Sequence, residues 1–393
     1  MLEPLLTNIS EFFPERSKSC LKNVLLLCLG ILDKETVNLN RVKNSIGKFN
    51  GNPNTGAGAH YKRLIRLFDN FSFSSLWIEL IAYGMRLMRL KCEYLLLDGT
   101  SWKCGNRWFH YLTLCVVYKN VAIPIFWLDL KKRGNSNLKE RKKLITKAFR
   151  FFDLKGKVLI ADREYIGKDW FKFLVDRGLD FVIRSKAKTY RSAVDGTPGR
   201  SYDELVHKVL RSKKPYKALG KHFVLNGMAL YFVVAKNPDE NRKEPFILLV
   251  TSPDENRKEP YILLVTSLDR PAYEIAAAYL VRWKIEHCFF HLKSNGFDLE
   301  AMNLKSPSRC KLLMAVVVFA YLLSIHEGLK TYDDVPLKQY DNTEVWKAKS
   351  VFRHGFEKII VHCISIFTFC RYLEHEIRSA SKAYQSHKSI NVQ

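Results

Sequence analysis

The spacing of apolar and polar residues divides the chain near residue 90. Before that point apolar residues recur at helical intervals, so LKNVLLLCLGIL predicts a buried helix, while LNRVKNSIGKF and HYKRLIRLFDNF predict shorter, basic amphipathic helices. The loop NGNPNTGAGA (50–59) separates the last two. Two basic helices joined in this way can present side chains to a DNA groove, and a plain helical cap is the alternative. We therefore predict a helical DNA-binding domain over residues 1–90.

From residue 94 the pattern is that of strands. YLLLDGTSW, FHYLTLCVVY and VAIPIFWLDL are three β-rich runs with short connections, which predicts an antiparallel meander. A charged helix over 136–152, the short run KVLIADREY, a helix over 167–177 and the strand DFVIRSKA follow. Strands that alternate with helices in this order predict an α/β fold with a mixed sheet, whose first part covers 91–187.

Residues 188–268 interrupt this alternation with glycine, proline and lysine clusters, and we predict a β-rich insertion there. It contains a tandem repeat, PDENRKEPFILLVTS (238–252) followed by PDENRKEPYILLVTS (253–267), which differ at one position. Solenoid repeats need at least ~20 residues per unit and three units, so a recent local duplication is the simpler interpretation. One strand would then be surplus, either at a sheet edge or looped out.

After the insertion, residues 269–330 are predicted to complete the α/β domain. The apolar run LLMAVVVFAYLLSI (312–325) is short for a membrane span and is interpreted as a buried core helix. Residues 331–393 are predicted to form a helical C-terminal region, which is a candidate for dimerisation.

Charge changes the expected partner. The chain has 64 basic and 39 acidic residues, a formal net charge of +25, concentrated in segments such as KKRGNSNLKERKK (131–143). A polyanion is expected, with nucleic acid ahead of a membrane surface; a basic surface kept for solubility is the alternative. The nine cysteines include no CxxC pair, which favours a reducing cytoplasm over a disulfide framework or structural zinc site.

The segment YLVRWKIEHCFFHLK (279–293) places four polar residues on one stripe. With about 100° per residue, Arg282, Glu286 and Lys293 lie at roughly −60°, −20° and −40° from Tyr279, beside an apolar stripe suited to a core. Ordinary ion pairs on a helix face would explain this arrangement. The alternative is a catalytic acid flanked by phosphate-binding groups.

Three carboxylates are candidates for metal ligands. Asp98 closes the first strand, Asp162 closes a later one, and Glu286 lies on a helix that can pack on the same sheet. An aspartate after a strand is by itself more often a turn former. Together, three carboxylates at strand ends suit Mg²⁺, and two such ions about 4 Å apart can support phosphodiester transfer.

Other residues have simpler explanations. His287 and His291 are spaced to share a zinc ion, but the H-E-x-x-H order is absent, and partly packed or surface histidines are expected. Trp102, Trp108 and Trp283 could stack on an unpaired base, although packing in the core or at its rim is the default for indoles.

At this point the sequence resembles a known family. Tyr279, Arg282, Glu286 and Lys293 fit the pattern Y-x2-R-x3-E-x6-K of DDE insertion-sequence transposases of the cut-and-paste, hairpin-forming type. LLLDGTSW and LIADREY resemble the two aspartate strands of that family, and RWKIE is similar to its sequence around the glutamate. The resemblance extends over most of the chain.

The resemblance implies a ribonuclease-H-like fold interrupted by a β-rich insertion. Asp98, Asp162 and Glu286 would hold two Mg²⁺ ions, for which Mn²⁺ would substitute, and the other three signature residues would hold DNA phosphates and the hairpin end. The expected partners are the inverted-repeat ends of the element and target DNA, bound by a homodimer without a membrane. The expected location is a prokaryotic cytoplasm, in association with the nucleoid. The 15-residue repeat departs from the family pattern.

Three alternatives to an active transposase remain at this stage. The first is a catalytically silent DNA-binding derivative, which the intact triad disfavours and the duplication keeps open. The second is a nuclease of the same fold without strand transfer. A zinc hydrolase built on His287 and His291 is the remote third.

Overall fold

The computed structural model describes residues 2–51, 54–104, 107–214, 217–236, 260–339 and 345–390, the last ten of these by their backbone alone. The first copy of the tandem repeat (238–252) and the start of the second lie outside these ranges. The prediction of a surplus strand therefore concerns residues outside the described part of the chain.

The segment before residue 90 is helical, as its periodicity predicts. Five helices form it: α1 (Leu2–Ser10), α2 (Lys18–Lys34), α3 (Leu39–Asn50), α4 (Ala57–Phe71) and α5 (Leu76–Leu87). The predicted buried helix is α2, in which every residue from Val24 to Leu32 is buried. Ser17 caps its N-terminus by accepting a hydrogen bond from the Cys20 amide, which satisfies one of the free amides of the first turn.

An eight-stranded mixed sheet forms the centre of the molecule. Its strands are β1 (Tyr94–Cys104), β2 (Arg107–Tyr118), β3 (Val121–Asp129), β4 (Val158–Ala161), β5 (Asp180–Arg184), β6 (Ala218–Leu225), β7 (Met228–Lys236) and β8 (Tyr261–Thr266). The order is β3-β2-β1-β4-β5-β8-β7-β6. The first three strands form the predicted antiparallel meander, and β1, β4 and β5 are parallel. The order 3-2-1-4-5 with β2 reversed is that of a ribonuclease-H-like fold, so the predicted fold class is confirmed.

The insertion extends this sheet. Its described part begins with α8 (Arg191–Asp195) and α9 (Tyr202–Leu210), and the strands β6, β7 and β8 follow. The strand β8, from the second copy of the repeat, pairs antiparallel with both β5 and β7. The insertion therefore contains helices as well as strands, and its strands continue the main sheet beyond β5.

Helices cover the sheet. They are α6 (Leu138–Ala148), α7 (Lys168–Asp176), α10 (Ala272–Leu280), α11 (Trp283–Lys293) and α12 (Pro307–Lys330). The single helix suggested by the stripe over 279–293 is in fact two, because α10 ends at Leu280 and α11 begins at Trp283. Hydrogen bonds from the Arg282 amide to the Tyr279 carbonyl and from the Ile285 amide to the Arg282 carbonyl form a tight turn between them.

The predicted core helix is α12, which is longer than the apolar run inside it. At 24 residues it is the one helix in the described ranges with the length and composition of a membrane span, and 89% of its most apolar window is buried inside the protein. Close packing depends on small residues, since a Cβ on Gly84 of α5 would lie 2.6 Å from Leu322 Cδ1.

The C-terminal region combines a small hairpin with two helices. Its elements are β9 (Leu337–Gln339), β10 (Val345–Lys347), α13 (Val351–Ile359) and α14 (Ile366–Ile390). The helix α13 packs on α12, where a Cβ on Gly355 would lie 1.7 Å from the Ser324 carbonyl oxygen. The Asn8 side chain of α1 donates to Glu374 of α14 at 2.5 Å, which joins the two ends of the described chain.

Candidate active site

Two carboxylates lie side by side where the β1–β4 ladder ends. The prediction that Asp98 closes the first strand is wrong, because β1 continues to Cys104 through its pairing with β2. Leu97 pairs with Ala161 in the parallel ladder, so Asp98 and Asp162 occupy the next position on adjacent strands. Neighbouring strands lie about 4.8 Å apart. Each carboxylate accepts a backbone hydrogen bond from the residue that follows it, at 2.8 Å for Asp98 and 2.7 Å for Asp162. These bonds fix both side chains at the same end of the sheet.

Three further groups surround the Asp162 carboxylate. The Tyr279 hydroxyl donates to Asp162 Oδ1 at 3.2 Å, and Arg184 Nη1 lies 4.0 Å from the same oxygen. Burial by itself raises the pKa of Asp162, but Arg282, the Arg163 amide, Arg184 and Tyr279 together hold it below its ordinary value.

Asp98 has the opposite balance. Burial raises its pKa to about 7, and the negative charges of Glu286 and Glu164 add to the increase, while Arg282 and the Gly99 amide only partly oppose it. The two adjacent carboxyl groups therefore differ in charge near neutral pH. Asp162 is ionised, whereas Asp98 is poised to ionise when a cation approaches.

Arg282 connects the third carboxylate to this pair. Its Nη1 donates to Glu286 Oε1 at 2.7 Å across one turn of α11. The guanidinium carbon of Arg282 lies 4.2 Å from the centre of the Trp283 ring, and the whole residue is 5% exposed. Burial lowers the pKa of Arg282, but Tyr279, Asp162, Glu286 and Asp98 reverse this effect, so the group stays charged. One buried guanidinium thus provides the countercharge for all three carboxylates.

Lys293 lies at the far end of α11. Burial lowers its pKa, and the charges of Glu300 and Asp98 oppose this decrease. The structure therefore gathers all six residues singled out in the sequence around one end of the sheet. Tyr279, Arg282, Glu286 and Asp162 are linked by direct contacts, while Lys293 is connected to Asp98 through its charge.

Three residues that the sequence did not single out also reach this site. Glu164 stands two positions after Asp162, Arg184 ends β5, and His110 of β2 faces β1. A Cβ on Gly99 would lie 3.3 Å from the His110 ring, so the glycine beside Asp98 leaves room for the imidazole. The second acidic residue of ADREY could have indicated Glu164, and the arginine at the end of DFVIR could have indicated Arg184. Nothing in the sequence pointed to His110.

The histidines considered for zinc do not form a metal site in the described part of the chain. His291 is buried against the Phe352 ring, with centroids 4.5 Å apart, and burial lowers its pKa to about 4. Trp102 is likewise in the core, stacked between Phe109 and Tyr111.

The set of Asp98, Asp162 and Glu286 fits Mg²⁺ or Mn²⁺. All three candidate ligands are carboxylates, which these hard cations prefer, and a bound cation would offset the burial that raises the pKa of Asp98. Within the described residues, a tighter group of metal-ligating atoms occurs elsewhere: atoms of His326, Glu327 and Glu376 lie within 4.8 Å of one another. There the Lys330 ammonium already bridges the two carboxylates, at 2.6 and 2.8 Å.

Comparison with known proteins adds the family. Residues 93–323 match the family described as Transposase DDE domain, a span that contains both aspartate strands and α11. A cryo-EM structure of a piggyBac transposase synaptic complex with hairpin DNA aligns with a TM-score of 0.47 and 10% identity, covering 95% of this chain and 80% of that one. No curated protein sequence matches significantly. The family match spans more than half of this chain, so the chain belongs to the DDE transposases.

Proposed function

We propose that this transposase binds the inverted-repeat ends of its own insertion sequence, cleaves them by metal-dependent hydrolysis and transesterification, and joins them to target DNA. One observation carries the proposal. Asp98 within β1 and Asp162 after the end of β4 lie side by side just beyond the parallel ladder of the two strands, and Arg282 connects them to Glu286.

Asp98, Asp162 and Glu286 are the residues that would hold two Mg²⁺ ions, with Mn²⁺ as a substitute. When bound, such ions activate the attacking oxygen and stabilise the leaving oxygen of a phosphodiester. Asp98 supports this role because its partly protonated carboxyl can release a proton and become a ligand as positive charge arrives. Asp162 is already ionised and is oriented by Tyr279 and the Arg163 amide.

The cations of the site would bind the DNA backbone. Once other positive charge balances Glu286, the Arg282 guanidinium is free to turn one of its two edges toward a phosphate, which it can bind with two parallel hydrogen bonds. Lys293 would hold a second phosphate as a point charge. Tyr279 keeps Asp162 in place through its hydroxyl and supports the same strand of DNA.

The partners follow from the same proposal. The net charge of +25 suits double-stranded DNA at both the element ends and the target. We propose a homodimer that pairs two ends, with residues 331–393 as the candidate dimerisation region, and a location in a prokaryotic cytoplasm at the nucleoid.

The test uses end-labelled DNA that carries the termini of the element, taken from the sequence flanking its gene. Wild type, Glu286→Gln and the control Glu274→Gln are incubated with it in Mg²⁺, and nicked, hairpin and joined products are separated on denaturing gels. Glu274 is a matched control because it is an exposed glutamate on α10. Nicked and joined products from the wild type and control, and none from Glu286→Gln, are expected.

Two other outcomes would replace the proposal. Nicking without joined products would indicate a nuclease of the same fold that lacks strand transfer. Binding of the ends without cleavage by any of the three proteins would indicate a catalytically silent derivative, and deletion of one 15-residue repeat would then test whether the duplication is the cause.

A further inference from the structure

A group of exposed cations lies in the insertion, where the helix α9 ends. We call it the insertion cluster, and it consists of Lys208, Arg211, Lys213 and Lys214. Lys208 belongs to the last turn of α9 and Arg211 follows directly after the helix. In the ranges that the structure describes, none of the four side chains forms an ion pair with an acidic residue.

The helix accounts for only part of this charge. Cations near a helix C-terminus interact favourably with the helix dipole, which explains Lys208 and Arg211. Lys213 and Lys214 lie beyond the helix, and like charges so close together repel each other. The nearby acidic residues are engaged elsewhere, since Asp203 pairs with Arg191 and the Glu204 side chain caps the start of α9. The positive charge of the cluster is therefore left for a partner outside the chain.

Strand directions place the cluster at the end of the sheet that carries the candidate active site. The strand β8 is antiparallel to β5, so it begins at the end where β5 finishes with Arg184. At that same end β7 finishes and β6 begins. The chain after α9 is attached there by Lys236, the last residue of β7. Its ammonium donates to the Ser212 carbonyl, and its amide donates to the Lys217 carbonyl at 2.9 Å.

The strand register gives the distance from the site to the cluster. Across the sheet from Asp162, the residues at the same level are Arg184, Leu264 and Val233. Lys236 is three residues beyond Val233, which is roughly 10 Å along the strand. The strand β7 is three strands away from β4, which is roughly 14 Å across the sheet. The combined distance of about 17 Å corresponds to about five base pairs of DNA at 3.4 Å each.

The N-terminal helices lie on the other side of the site. The edge strands of the sheet are β3 and β6. The Trp77 ring of α5 packs against Phe126 and Trp127 of β3, with ring centres 5.2 and 5.5 Å apart. The Leu39 amide of α3 donates at 3.2 Å to Asn303, in the segment that also contacts the end of β1. The predicted DNA-binding domain and the insertion cluster therefore flank the site from opposite edges of the sheet.

We propose that the insertion cluster binds the duplex that flanks the element, about five base pairs beyond the cleaved phosphate. The inverted repeat is assigned to the N-terminal domain at one edge, so DNA that continues across the site toward the other edge is the flank. Contacts from Lys and Arg to phosphates hold a duplex without reading its sequence, which suits a flank that changes with each location of the element. This inference rests on the proposed function and adds a surface for flanking DNA to it.

The experiment measures how the Glu286→Gln protein, in which cleavage is expected to be absent, binds two end duplexes. Both duplexes carry the terminal inverted repeat. The long-flank duplex continues well past the proposed position of the cluster, and the short-flank duplex stops immediately after the cleavage position. The salt dependence of binding is measured for each, and the long-flank complex is also footprinted with hydroxyl radicals.

The variants remove equal charge from opposite ends of the sheet. The cluster variant combines Arg211→Gln, Lys213→Gln and Lys214→Gln in the Glu286→Gln background, and it keeps Lys208 because that residue belongs to the helix. The matched control also replaces three exposed cations, which precede β4 and β5 and so lie at the end away from the site: Arg150→Gln, Lys155→Gln and Arg177→Gln.

The cluster variant should bind the long-flank duplex about ten-fold more weakly than the parent, and the slope of log affinity against log salt should decrease by about 0.9 per lost phosphate contact. It should bind the short-flank duplex as the parent does. The parent footprint should include a protected position about five base pairs into the flank, and the cluster variant should lose it. The control should show none of these changes.

The inference is overturned if the cluster variant and the control bind the long-flank duplex equally well. Equal weakening on both duplexes would also overturn it, because the cluster would then contact the inverted repeat. Failure of the parent protein to bind either duplex would instead refute the proposed function. All the replaced residues are exposed, so thermal unfolding should match that of the parent. If the cluster variant is unstable, Lys213→Gln alone should still lower the salt slope by about 0.9, since Lys213 lies outside the helix.

Discussion

Asp98→Asn should make the protein more stable while it removes a proposed metal ligand. The reason is the pKa of Asp98, which burial raises from its ordinary 3.8 to about 7. Asparagine has nearly the same shape, and its amide oxygen can still accept the hydrogen bond from the Gly99 amide. The substitution therefore removes the ionisation and leaves the local geometry in place.

The size and direction of the effect follow from proton linkage. Because the folded state keeps its proton to a higher pH than the unfolded state, ionisation of Asp98 costs stability as pH rises from about 4 to about 7. Each pH unit in this window costs about 1.4 kcal/mol, and three units give about 4 kcal/mol. Asp98→Asn should equal the wild type near pH 4 and exceed it by about 4 kcal/mol above pH 7.

Urea denaturation in the presence of a chelator, at intervals from pH 4 to pH 8, measures this difference. Asp176→Asn is the control, since this aspartate is exposed on α7. Added Ca²⁺ should raise the stability of the wild type and leave Asp98→Asn nearly unchanged. A difference between the two proteins that does not vary with pH would refute the assigned environment of Asp98.

Three further outcomes are expected from denaturation experiments. Arg282→Met should lower the free energy of unfolding by about 3–5 kcal/mol at pH 8, because it leaves buried carboxylates without their countercharge. The loss should be smaller at pH 5, because Arg282 helps to hold the pKa of Asp162 low and without it this carboxyl can take up a proton. An equal loss at both pH values would contradict this. Lys330→Met should destabilise the junction of α12 and α14 by about 2–4 kcal/mol at neutral pH. Burial raises the pKa of Glu376, but His326 and Lys330 hold it at about 2. Because Lys330→Met removes one of these cations, this variant should lose less stability than the wild type when the pH is lowered from 5. Gly355→Ala should cost more than the roughly 1–3 kcal/mol that is usual for overpacking, because the added Cβ would collide with backbone atoms. Gly58→Ala on α4 should be neutral or stabilising, because its Cβ would meet open space. Similar denaturation midpoints for the two variants would contradict the packing of α13 on α12.

Much of the fold could be predicted from the order of strands and helices. Three apolar runs with short turns favour a meander, and β4 and β5, each reached through a crossover helix, join in parallel. The buried helices α2 and α12 were visible as long apolar runs. The helix break at 281–282 was not predicted, because no proline or glycine marks it in the sequence. It is evident only from the backbone hydrogen bonds that form the tight turn.

The sequence by itself determined which carboxylates follow the apolar runs of β1 and β4, and which cations share the stripe with Glu286. Only the tertiary structure decided how they meet. The register of Leu97 with Ala161 joins residues more than sixty positions apart, and side-chain spacing within one strand carries no information about it. The same holds for the burial of Arg282 among three carboxylates, for the position of His110 over Gly99, and for β6 to β8 continuing the sheet. Desolvation and charge depend on neighbours that folding brings together, so the difference in pKa between Asp98 and Asp162 exists only in the folded chain.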